Sequence, residues 1–136
     1  MRLLVNIDVP ALAPGIAFYT EGLGLRLVRT LGGRVAELDG AGAPVYLLEK
    51  PAGSRPAPAP AAARDYGRHW TPVHLDFVVD DVDAAVARAV AAGATLEGAP
   101  ADHAWGRIAH LADPFGNGLC LMRFTQAGYD AVADPA

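Results

Sequence analysis

The side chains with the most chemistry in this sequence gather in its second half. His74 and Asp76 stand two residues apart, so in an extended segment they share a face. Cys120 sits between Leu119 and Leu121, and His110 lies ten residues before it. An imidazole beside a carboxylate can exchange protons, contact a ligand or contribute to a cation site. The plainer reading of His74 is a hydrogen-bonded, half-buried histidine. Cys120 reads as a small buried residue, with no base in its immediate sequence to activate it, although His110 two strands away can approach it. The first half offers milder groups. Asn6 and Asp8 alternate along one segment, and Tyr46 brings a hydroxyl. Arg68-His69-Trp70 and Trp105-Gly106-Arg107 each set a cation beside an indole, a pairing that suits an anionic or aromatic ligand at a cavity rim. The plainer alternative for either tryptophan is packing.

These groups need elements to position them. Val5, Ile7 and Val9 alternate with Leu4, Asn6 and Asp8, which predicts a strand over Leu3–Val9 covered on one side. Pro14 opens a helix that Gly22 and Gly24 end, and strands are expected over Arg26–Leu31, Arg34–Leu38 and Val45–Glu49. Pro51–Ala63 reads as an extended connector. The pattern then repeats. Leu75, Phe77 and Val79 alternate, leaving His74 and Asp76 on the opposite, inward face, and a helix is expected over Asp80–Ala92. Strands near Thr95–Glu97, Arg107–Ala112 and Leu119–Phe124 follow, with a tight turn at Asp113-Pro114-Phe115-Gly116-Asn117. Val9-Pro10-Ala11-Leu12 aligns with Val79-Asp80-Asp81-Val82 at an offset of 70 residues. The expected fold is α+β, with two tandem βαβββ modules (1–50 and 72–125) forming a curved mixed sheet around a central cavity. A Pro/Ala-rich connector (51–71) joins them and a tail (126–136) follows. On the cavity side parity places Asn6, Asp8, Tyr46, Trp70, His74, Asp76, Trp105, Arg107 and Cys120.

Composition narrows the function. The 136 residues carry 11 Lys+Arg and 15 Asp+Glu, a net charge of −4, which leaves no electrostatic footprint for nucleic acid or an anionic membrane. No apolar run is long enough to span a bilayer, and Asn6 and Asp8 come too early for a signal peptide, so a cytoplasmic protein is expected. Its single cysteine excludes an internal disulfide.

Two stretches carry a family resemblance. Phe18-Tyr19-Thr20-Glu21-Gly22-Leu23-Gly24-Leu25 resembles part of the first module of the vicinal oxygen chelate superfamily, which includes glyoxalase I, bleomycin resistance proteins and extradiol dioxygenases. Val73–Val79 and Asp113–Leu119 resemble its second module. The resemblance implies a homodimer, and in metal-using members a divalent ion held by one ligand on the first and one on the last strand of each module. Here those positions fall on Leu4 or Val5, on Tyr46 or Leu47, on His74 and on Cys120. That set is poor for a hard cation. No cofactor is therefore expected; if a divalent metal is present, His74 with Glu49 or Cys120 would hold it. The resulting expectation is a metal-independent small-molecule binder of the sequestration or resistance type. The alternative is a metal-dependent lyase, isomerase or dioxygenase with an altered site around His74, drawing on Glu49, His110 or Cys120.

Overall fold

The computed structural model describes residues 1–56, 62–69 and 71–134; Trp70 lies outside them. Strand β1 (Val5–Val9) leads into helix α1 (Leu12–Ala17), which widens into a π-helical turn over Phe18–Gly22. Strands β2 (Arg26–Leu31), β3 (Val35–Asp39) and β4 (Val45–Glu49) complete the first half. The second half runs β5 (Leu75–Val78), α2 (Val82–Ala91), β6 (Thr95–Leu96), β7 (Ala101–His103), β8 (Gly106–Ala112) and β9 (Gly118–Phe124). A 3₁₀ turn over Gly128–Val132 follows. β7 is a short strand that alternation did not predict, since three residues carry too little pattern to read.

Each half forms its own mixed sheet, in the orders β1-β4-β3-β2 and β5-β9-β8-β6, with β7 added beside β8. The helical crossover makes β1 parallel to β4 and β5 parallel to β9. Equivalent pairs follow from the repeat: Asn6 sits opposite Tyr46, and Asp76 opposite Cys120. Ile7, Val9, Ala36 and Leu47 bury one face of the first sheet in the core. Gly15 lets α1 come close to that face, where a Cβ would meet the Val9 methyls at 3.2 Å. Ala11 offers no side-chain cap to α1. Glu49 supplies one from β4, its Oε2 accepting from the Leu12 N–H at 2.9 Å.

The halves lock together through buried polar and apolar contacts. Phe18 and Tyr19 are almost fully buried, and the π-helical turn packs against α2. Gly22 sits so close to α2 that a Cβ there would stand 2.9 Å from the Ala92 methyl, and Arg88 Nε donates to the Gly22 carbonyl at 3.0 Å. The Tyr19 hydroxyl donates to Asp113 Oδ2 at 2.8 Å. Asp113 also accepts from the Phe115 and Asn117 backbone N–H groups and from Asn117 Nδ2, so its buried charge is well satisfied. Among the described residues no helix is long and apolar enough to cross a membrane.

Candidate functional site

The edge strands β1 and β5 border a cleft of about 400 Å³. Asn6 and Asp8 line it from β1, and His74, Leu75 and Phe77 from the second half. A second cleft, about 430 Å³, continues over the face of the β5–β9–β8 sheet, where Cys120, His110 and Glu97 line it. Thr71, His74 and Leu119 border both, so the two form one continuous groove.

The chain after the Pro/Ala run makes the outer wall. Arg64 pairs with Asp8 at 2.6 Å and is tied to Gly53 and Ser54 by backbone hydrogen bonds of 2.8 Å. The Tyr66 hydroxyl donates to the Lys50 carbonyl at 2.7 Å. Arg68 grips Glu97 through two guanidinium nitrogens, with Nη2 to Oε2 at 2.9 Å, and this hydrogen bonding holds the Glu97 carboxyl below its usual range. The wall approaches the Asp113–Asn117 turn so closely that a Cβ on Gly116 would meet the Gly67 carbonyl oxygen at 2.3 Å. Gly116 also has φ +85°, so glycine is required twice over. Alternation cannot reveal such a wall. The change from alanine and proline to Arg64-Asp65-Tyr66-Gly67-Arg68-His69 is the signal that marks it.

At the groove His74 Nε2 lies 3.3 Å from Asp76 Oδ1, although Asp76 itself lines neither cleft. The Cys120 thiol lies close by, and the donor atoms of all three residues lie within 4.8 Å of one another. Burial first, then the neighbouring Asp76 carboxylate, push the Cys120 thiol up to about 12. It is therefore a neutral donor at physiological pH and a weak nucleophile. His110 stands opposite Cys120 in the β8–β9 register and lines the same cleft.

Other expected cavity residues lie elsewhere. Arg107 ion-pairs with Asp83 of α2 and Asp102 of β7. It stands an odd three positions before His110, so the pleat turns it to the helix-covered side. Trp105 occupies the β7–β8 turn, stacked on His103 with ring centroids 5.0 Å apart and flanked by Phe124 and Tyr129. Both line neither cleft, because an indole next to an arginine in sequence says nothing about which face either takes. Tyr46 shares the Asn6 face by register, beside the Arg29–Glu37 pair, but it too lines neither cleft. Leu47 is fully buried beneath α1, and Glu49 is committed to the α1 N-terminus.

Among the described residues no four-donor cation site drawing on both halves is built. The first half supplies Leu4 and Tyr46 at the relevant strand positions, and its nearby carboxylate, Glu49, caps a helix. The His74, Asp76 and Cys120 group comes wholly from the second half and mixes imidazole, carboxylate and a protonated thiol. It does not match the donors a hard divalent ion prefers.

Comparison with known proteins sets this geometry in context. Residues 4–122 match the Glyoxalase-like domain family. The chain is 37% identical over 121 residues to the anthracycline biosynthesis protein DauV of Streptomyces sp. (strain C5), covering 88% of this chain and 39% of that relative's length. Among solved structures, a glyoxalase/bleomycin resistance protein/dioxygenase family enzyme from Burkholderia phytofirmans PsJN superposes with a TM-score of 0.67 at 22% identity, covering 90% of this chain and 97% of the other. TioX from Micromonospora sp. ML1 gives a TM-score of 0.66 at 22% identity, covering 92% and 99%. At these identities the structures establish the fold alone.

Proposed function

The chain belongs to the Glyoxalase-like domain family, within the vicinal oxygen chelate superfamily, and on that premise we propose that it binds a small organic molecule without a metal ion, as a sequestration or resistance protein does. One observation carries the reading. The positions in the first half that would complete a cation site hold Leu4 and Tyr46, while the groove itself remains roomy and lined with hydrogen-bonding groups. A groove of several hundred Å³ with apolar walls and a few converging polar groups suits a drug-sized ligand. The likeness to a protein named for anthracycline biosynthesis directs the choice of ligand toward planar, oxygenated aromatic compounds.

The gathering of His74, Asp76 and Cys120 favours a second reading, a metal-dependent lyase, isomerase or dioxygenase with an altered site. One experiment separates the two. Protein purified without chelator is analysed for metals, then titrated with an anthraquinone with and without EDTA. The binding reading expects substoichiometric metal and an affinity that EDTA leaves unchanged. A stoichiometric ion that disappears in His74→Ala would establish the second reading.

A further inference from the structure

We infer that the chain carries a second binding site, distinct from the groove, that takes a doubly charged phosphoryl group. The sequence holds its first sign. No carboxylate occurs between Glu49 and Asp65, while Lys50, Arg55 and Arg64 all fall in that interval, in a chain whose net charge is −4. The fold adds a fourth cation from a distant position. Arg34, just ahead of β3, lines with these three a cavity of about 390 Å³. Among the described residues Glu49 is the one carboxylate that lines it, and Glu49 accepts from the Leu12 N–H at the α1 N-terminus.

The main chain around this cavity is fully engaged in the fold, and the charges are left over. The Arg34 carbonyl accepts from the Glu49 N–H at 2.8 Å. The Lys50 N–H donates to the Val9 carbonyl at 2.9 Å, and the Lys50 carbonyl receives the Tyr66 hydroxyl. Two backbone bonds of 2.8 Å, Gly53 to Arg64 and Arg64 to Ser54, hold the arm that carries Arg55. Among the described residues no hydrogen bond or ion pair engages the Arg34 or Lys50 side chain. Arg64 directs Nε at Asp8. Like charges gathered around one cavity repel and cost stability until an anion neutralises them. Two unmatched cations call for a dianion, and the guanidinium fork suits a tetrahedral oxyanion. A phosphate monoester or free phosphate meets both demands. A carboxylate or a phosphodiester brings a single charge.

The test titrates the full chain by calorimetry with inorganic phosphate, phenyl phosphate and methyl phenyl phosphate. Ionic strength is held constant at about pH 8, where a phosphate monoester carries two charges. The wild type is expected to bind one monoester per chain, about ten-fold more tightly than the diester, and to melt at a higher temperature when it does. Tighter binding of phenyl phosphate than of inorganic phosphate would assign the group to an organic molecule, and the reverse order would assign it to the free ion; either supports the site. Arg34→Ala and Lys50→Ala should each weaken binding about ten-fold without lowering the melting temperature of the unliganded chain. If either variant melts early, Arg34→Gln and Lys50→Gln, which keep the stem, replace them. Arg123→Ala, at an exposed arginine on a different cavity, should bind as the wild type does. No binding at millimolar concentration, equal affinity for diester and monoester, or an equal loss in Arg123→Ala, which marks diffuse attraction only, would each overturn the inference. None of these outcomes touches the reading of the groove, which the anthraquinone titration tests separately.

Discussion

The two halves of the chain share a backbone plan and differ in what they put on the cavity face. In the first, Leu4, Asn6 and Tyr46 occupy the positions that His74, Asp76 and Cys120 occupy in the second. Glu37 stands next to Tyr46 in the sheet and is paired with Arg29; its counterpart next to Cys120 is His110. The polar groups of the first half are thus turned to structure, as a cross-strand ion pair and, in Glu49, as a helix cap. Those of the second half gather within 4.8 Å of one another beside an open cleft. Duplication fixes where side chains point. It does not require both copies to keep the same chemistry.

Substitutions can break this contrast at its seam. Asp113→Ala removes the acceptor shared by Tyr19 of the first half and the turn of the second, leaving several buried donors unpaired. A loss of about 3–5 kcal/mol is expected in urea unfolding, seen as a lower midpoint in both halves together. If only the second half loosened, the seam would not be what unites them.

The same contact predicts an alkaline limit. Burial first, then the charge and hydrogen bond of Asp113, hold the Tyr19 hydroxyl protonated well above its usual range. The unfolded chain gives up that proton near pH 10 and the folded chain retains it, so this contribution is intact below about pH 10 and erodes as pH rises beyond it. Each unit above that point should cost up to about 1.4 kcal/mol, and Tyr19→Phe should flatten the slope. An unchanged slope in the variant would place the alkaline sensitivity elsewhere.

The smallest expected effect concerns Glu49. Glu49→Ala should cost about 1 kcal/mol by exposing the α1 N-terminus, with no change in metal content or anthraquinone affinity. Loss of anthraquinone binding at constant stability would return Glu49 to the site and weaken the division between the halves.

Much of the scaffold was legible in sequence because alternation and helical spacing report burial directly. Alternation also marked β5, though Leu75 and Phe77 border the cleft together with His74 while Asp76 does not. The Asp113–Asn117 turn was legible from its residues, though its bond to Tyr19 was not, since nothing local in sequence encodes a contact across 94 residues. Parity failed for Arg107, where the pull of two aspartates on the helix side accompanies the opposite facing. It had no purchase on Trp105, which lies in a turn, or on the wall formed by Arg64, Tyr66 and Arg68, where no regular element supplies a period. Glu49 shows a further limit. Its helix lacks a capping side chain at Ala11, and the carboxylate that substitutes comes from a strand 37 residues away.

The most direct test remains elemental analysis of chelator-free protein coupled to calorimetric titration with the anthraquinone. The account predicts one bound anthraquinone per chain, substoichiometric metal, and heats that EDTA does not alter. A tightly held ion released together with anthraquinone binding when His74 or Cys120 is replaced would contradict it.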